Sequence, residues 1–222
     1  AELGKREVPG PGSRAVLKKI IAGIEGLEYY QSGDFSVLGQ TVVVSRTGYT
    51  GELGYEIYYP WERLPDLWAC LLELGVRPAG LGVRDVLRIE MGYALYGHEL
   101  SEAVNPLDAG LGRFIDWDKD FIGRAALEGI RAGGVTKKSI CLVSDSRRAP
   151  RQGNTIFLSA DEPIGEVTSG TFSPDRKRGV GLATVAAGRT AVGQQIFFDN
   201  GGNLLPARVV SRPVYQSGSL KD

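Results

Sequence analysis

Residues 46–57 read RTGYTGELGYEI, with glycines at positions 48, 51 and 54 and a tyrosine and two carboxylates at the turn between two apolar runs. Glycine at that spacing allows the backbone to approach a ligand closely. Glu56 is the sharpest chemical candidate. A carboxylate on a strand face opposite core residues can accept two parallel N–H donors, the geometry offered by a guanidinium and equally by a 2-amino pyrimidine edge. The same position also suits an exposed strand acid paired with a lysine or arginine, and spacing leaves both readings open. Tyr49, between Gly48 and Gly51, could stack its ring on a flat ligand or pack over a hairpin end. Arg84 falls in the first turn of a predicted helix, where a positive side chain opposes the macrodipole unless an anion is near. Its neighbour Asp85 offers the plainer alternative of a capping carboxylate and local ion pair. Tyr93, Tyr96 and Tyr30 could line a pocket or belong to the core. His98 is the only histidine, which excludes a histidine-based triad or a two-histidine metal site within these residues. Gly80-x-Gly82 is too short for a dinucleotide fingerprint, and no Gly-Lys-Ser/Thr phosphate loop occurs.

The elements that must position these groups follow from periodicity. Residues 40–45 (QTVVVS) are β-branched, and 55–59 alternate so that Tyr55, Ile57 and Tyr59 share one face and Glu56 and Tyr58 the other. These predict paired strands around the glycine-rich connection. The Pro9-Gly10-Pro11-Gly12 turn with Ser13 as N-cap predicts a helix of two to three turns carrying Leu17, Ile20 and Ile21. Between Trp61 and Leu74, Leu64, Leu67, Trp68, Leu71 and Leu72 recur at helical spacing. Val83, Val86, Leu87 and Met91 predict the buried stripe of a further helix, with Arg84 and Arg88 on an adjoining face. Residues 105–123 read as loop with an extended piece at 114–118, then a short helix at 124–131. Gly133-Gly134 marks a predicted boundary. Beyond it, six short β-rich runs (139–143, 155–158, 166–169, 180–184, 195–198, 206–210) predict a small barrel or sandwich.

Composition bounds the partners. The chain has 222 residues, 42% hydrophobic and 23% charged, enough for one large or two modest cores. Its 26 basic and 26 acidic residues cancel without a long basic run, so no electrostatic footprint for nucleic acid is present. Cys70 and Cys141 stand apart in apolar surroundings and read as buried thiols of a reducing compartment. No apolar run of membrane-spanning length and no secretory leader appears, so a cytoplasmic location without membrane association is expected.

The blocks RTGYTGELGYEI, AGLGVRD, LRIEMGYALYG, NPLDAGLGRFIDW with DFIGR, and GEVTSGTFSP at 165–174 resemble, in order, the T-protein (aminomethyltransferase) family of the glycine cleavage system. The resemblance implies an α+β class: a partial tetrahydrofolate-binding domain over residues 1–133 and a C-terminal antiparallel β-barrel domain over 134–222. It implies transfer of the methylene carbon of an aminomethyl-lipoyl group on the H-protein to tetrahydrofolate, with release of ammonia. By motif position Glu56 would hold the pterin, Tyr49 would pack near it, Arg84 would contact substrate, and Tyr93 and Tyr30 would line the cavity. No metal is implied. The cellular setting would be one-carbon metabolism and glycine catabolism in the cytoplasm, or the mitochondrial matrix in a eukaryote. Two departures stand out. The family's catalytic aspartate belongs to a segment ahead of the Gly-Pro turn, so the resemblance implies no catalytic residue here and little activity for this piece alone, a chain lacking the family's N-terminal portion. The usual basic residue after a Pro-aromatic pair is replaced near Arg212-Pro213-Val214-Tyr215. Alternative readings are another tetrahydrofolate-dependent transferase or demethylase, or a non-enzymatic folate-binding accessory protein. The accessory group carries a Lys-Gly-Cys-Tyr-x-Gly-Gln-Glu signature, where this chain reads Asp120-Phe121-Ile122-Gly123-Arg124.

Overall fold

The computed structural model describes residues 2–221 and resolves them into two compact units, one built from residues 2–87 and 215–221 and the other from 88–214. In the first unit, β1 (Leu3–Pro9), β2 (Ser32–Val37), β3 (Gln40–Ser45) and β4 (Gly54–Pro60) form an antiparallel sheet in the order β1-β4-β3-β2. The alternation along β4 sets its faces as the sequence predicts. Tyr55, Ile57 and Tyr59 are fully buried, while Glu56 and Tyr58 point to the other side. Burial of three such side chains, each worth about 1.5–3 kcal/mol, fixes the register of β4 against slippage.

Helices cover the core face. α1 (Ser13–Leu17) is shorter than predicted, and Gly12 rather than Ser13 occupies its N-cap position. The Ser13 hydroxyl is diverted: it donates to the carbonyl of Leu53 at 3.3 Å. Leu17, Ile21 and Ile24 are nonetheless buried, because a turn and a 3-10 segment (Ile24–Gly26) continue the apolar face after the helix ends. α2 (Leu64–Glu73) buries Leu64, Leu67 and Leu71 as its periodicity requires, whereas Trp68 and Leu72 stay well exposed. Gly4 lets α2 come close, since a Cβ there would lie 2.2 Å from Leu64 Cδ1.

α3 (Leu81–Met91) departs from its predicted stripe. Val83 is exposed, and the buried residues are Arg88, Ile89 and Glu90. In the second unit Arg88 donates to Glu99 Oε2 at 3.1 Å and to Ser169 Oγ at 2.8 Å, while Glu90 accepts from Ser173 Oγ at 2.5 Å. Charged groups enter the interior here because each finds polar partners that lie far away in sequence. α4 (Arg124–Gly133) lies where a short helix is predicted, but residues 114–118 form no strand.

Each of the six predicted C-terminal runs is a strand: β5 (Lys137–Ser144), β6 (Thr155–Ser159), β7 (Glu162–Ser173), β8 (Arg178–Ala186), β9 (Gln195–Asp199) and β10 (Leu204–Val210). They close into an antiparallel barrel in the order β10-β5-β8-β7-β6-β9, which leaves no free edge. Its core includes Leu142, Ile156, Val167, Ile196 and Phe198. The fold is thus α+β with a closed antiparallel barrel. Cys141 is buried and its thiol is pushed up by burial, whereas Cys70 is only half-buried; both are free.

Candidate functional site

The hydrogen-bonded ladder between β1 and β4 sets Glu7 directly opposite Glu56. Two like charges side by side on one sheet face repel unless each is neutralised. Both are. Glu56 Oε1 is paired with Lys5, two residues along β1, and Oε2 accepts from Thr47 Oγ1 at 2.9 Å and from Tyr58 OH at 3.1 Å. Burial, the largest single influence, would raise the Glu56 carboxyl, yet the bonds from Lys5, Thr47 and Tyr58 and the ammonium charge together hold it below the ordinary carboxylate range. Its side chain is 13% exposed.

Glu7 makes the second half of the group. Its Oε2 is paired with Arg84, and its Oε1 accepts the backbone N–H of Tyr49 at 3.3 Å. The Arg84 guanidinium lies 4.9 Å from the centre of the Tyr49 ring, a cation–π contact. A cavity of about 410 Å³ opens beside Glu7, Thr50 and Arg84, with Trp68, Leu71 and Leu72 on its apolar wall. Such a volume and mixed lining suit a small organic ligand.

Glu56, Tyr49 and Arg84 are therefore brought onto one connected patch of the first unit, through Glu7 and Lys5. Sequence reasoning missed those two because LGKREVP carries no β-branched run and ends in proline. The only signal was the alternation of Lys5 and Glu7 with Arg6 and Val8. Tyr30 meets the start of the glycine-rich loop through its backbone, whose N–H donates to the carbonyl of Arg46 at 3.0 Å, while the residue is 71% exposed and its ring packs edge-on against Tyr29 at 4.4 Å. No hydrogen bond or ring contact among the described residues joins it to Glu56. Tyr93 belongs to the second unit, where its carbonyl accepts from Arg88 at 3.3 Å. Tyr96 is exposed, and the imidazole Nδ1 of His98 lies 3.1 Å from the carbonyl of Thr168. No cluster of three or more His, Cys, Asp or Glu side chains able to hold a metal occurs among the described residues. No helix among them is long and apolar enough to cross a membrane.

An α+β unit with a carboxylate, arginine and tyrosine around a glycine-rich loop, followed along the chain by a closed six-stranded barrel, defines a two-part protein of the α+β-and-barrel class. The chain belongs to the glycine cleavage T-protein family. Residues 2–119 match the GCVT N-terminal domain, and 137–216 match the glycine cleavage T-protein C-terminal barrel domain. An aminomethyltransferase of Pseudothermotoga lettingae is 40% identical over 99% of this chain, and one of Phocaeicola vulgatus is 42% identical over 95%. The chain spans 61% of the length of each. The crystal structure of the glycine cleavage system aminomethyltransferase T from Bartonella henselae superimposes with a TM-score of 0.90 at 28% identity, covering 99% of this chain and 61% of that one.

Proposed function

We propose that this chain is the folate-binding and barrel portion of an aminomethyltransferase enzyme. The whole enzyme takes the methylene carbon of an aminomethyl-lipoyl group carried by an H-protein, transfers it to tetrahydrofolate and releases ammonia. In this reading residues 1–133 serve the folate and 134–222 form the barrel domain. The two family matches, which end at 119 and begin again at 137, support that division. The cytoplasm is the proposed location, and small molecules and a carrier protein, not nucleic acid or membrane, are the proposed partners.

The observation that carries the proposal is the state of Glu56. One oxygen of its carboxylate accepts from Thr47 and Tyr58, and the other is paired with a lysine side chain that is 40% exposed. A mobile ammonium can be displaced by a better-matched donor pair, and the amino-pyrimidine edge of a pterin presents two parallel N–H groups. Tyr49, stacked under Arg84, supplies a flat surface next to it, and Arg84 can turn from Glu7 to an anionic substrate group. Tyr93 and Tyr30 are proposed as further cavity residues in the whole enzyme. The carbon-transfer step gains most from holding two bulky carriers in line, so positioning is the contribution assigned to these side chains.

Calorimetric titration of tetrahydrofolate into the intact gene product tests this. Glu56→Gln removes a charged acceptor, and a loss of about 1.5–3 kcal/mol in binding is expected. Binding indifferent to that change would reject Glu56 as the pterin residue. Saturable binding in an otherwise inactive protein would favour the accessory reading.

A further inference from the structure

After the barrel the chain returns to the first unit at Tyr215, and its last described residues lie against the glycine-rich loop at 46–53. The contact is made through Glu52. Its Oε1 accepts from Tyr215 OH at 2.9 Å. Its Oε2 accepts from the backbone N–H of Ser219 at 3.0 Å and from the Ser219 hydroxyl at 2.5 Å. The same hydroxyl oxygen then accepts the backbone N–H of Leu53 at 3.1 Å, which uses both its donor and an acceptor lone pair. Ser219 is only 8% exposed, and Leu53 is 3% exposed. Gly218 completes the grip, because a Cβ there would stand 2.2 Å from the carbonyl oxygen of Gly51. No side chain other than hydrogen fits between tail and loop.

These bonds fall at the point where the loop's geometry is decided. Gly51 has φ +79°, a left-handed conformation, and Leu53 is the last residue before β4. The other side of Leu53 is tied down as well: its carbonyl accepts from Gly10 N at 2.7 Å and from Ser13 Oγ. Tyr49 lies two residues before Gly51 and Glu56 three after Leu53. A segment fixed at both its N–H and its C=O can present those two side chains at constant separation, whereas an exposed glycine-rich loop left alone would sample many arrangements.

We propose that Glu52, Tyr215 and Ser219 are positioning residues, through which the C-terminal tail straps the glycine-rich loop and pre-organises Tyr49 and Glu56 for a flat, polar-edged ligand. The consequence for affinity rests on the folate reading above; the strap itself does not. A carboxylate receiving three donors is a strong anchor, and losing one donor loosens the loop without touching the ligand-facing side chains. Neither Glu52 nor Ser219 lines the cavity beside Arg84.

The test compares the intact gene product with its Ser219→Ala and Glu52→Gln variants by amide hydrogen exchange and by tetrahydrofolate titration. In Ser219→Ala the Leu53 amide is expected to exchange about tenfold faster while Val44 in β3 keeps its rate, because only a local opening is involved. The dissociation constant for tetrahydrofolate is expected to rise about tenfold in both variants, with the thermal midpoint little changed. Unchanged exchange at Leu53 overturns the strap. So does a parallel rise at Leu53 and Val44, which would mark general destabilisation, whereas a loosened loop with unaltered affinity overturns the pre-organisation of Tyr49 and Glu56 for the ligand. If the unsubstituted protein fails to bind tetrahydrofolate, the folate reading falls and the exchange rates alone decide whether the tail holds the loop.

Discussion

Glu56 and Glu90 are both carboxylates of low exposure, and their surroundings drive them in opposite directions. Glu56 is surrounded by an ammonium and two hydroxyls and is held below the ordinary range. At Glu90 burial is again the largest influence, and here Asp175 adds to it while Ser173 and Arg176 oppose. The net effect raises the Glu90 carboxyl. A carboxyl raised by folding favours the folded state most fully while protonated, at pH below its unfolded value, and that contribution is lost as pH climbs through the raised value. Glu90→Gln keeps an amide oxygen for the Ser173 hydroxyl and removes the charge. Its thermal midpoint relative to the unsubstituted protein is therefore expected to climb as pH rises from below the ordinary carboxylate range through the raised value. A difference that stays flat across that range would mean that Glu90 titrates normally. For Glu56 the sign is reversed: its lowered carboxyl adds stability above its unfolded value, and that is lost as pH falls through the folded one.

Between elements, the barrel depends on glycines for a reason the strands themselves do not reveal. Gly170 on β7 lies opposite Gly181 on β8, and residues 148–150 cross that bare patch. A Cβ at Gly170 would come 2.1 Å from the carbonyl oxygen of Pro150, and one at Gly179 would come 2.1 Å from that of Arg148. Backbone cannot step aside as a flexible side chain can. Gly170→Ala is expected to destabilise the protein by about 1–3 kcal/mol or somewhat more, read from urea unfolding. Gly129→Ala in α4, where nothing lies within 4 Å of the added carbon, is expected to be neutral or to stabilise by up to about 1 kcal/mol. Equal costs at the two positions would mean that the crossing loop yields. The first sheet shows the complementary case, in which β1 was hidden in the sequence. Its residues have little intrinsic strand preference and are extended because β4, anchored by Tyr55, Ile57 and Tyr59, offers them a ladder.

Two separate apolar cores, one beneath the four-stranded sheet and one within the barrel, account for the size of the chain. A third, smaller cluster gathers Ile89, Cys141, Val180, Leu182 and Val214 in the second unit. Charge is balanced over the whole molecule, with 26 residues of each sign, so no net charge draws it to a polyanion. At about 50 mM salt, where phosphate contacts are strong, duplex DNA is expected to show no saturable binding in a fluorescence anisotropy titration. Binding that weakened steeply with added salt would reveal a basic surface that the composition conceals.

The amino-acid sequence by itself determined the strand faces of β4, the six barrel strands and the amphipathic α2, because alternation and helical spacing are local properties that burial then reinforces. It also singled out one loop as the candidate site, since glycines at 48, 51 and 54 beside Tyr49 and Glu56 form a single short motif. Only the tertiary structure decided what those side chains touch. Glu7 opposite Glu56, Arg88 buried against Glu99 and Ser169, and Ser219 on Leu53 join residues far apart along the chain. Periodicity is blind to such pairs, because a charged residue is read as solvent-facing until a distant partner offsets its desolvation.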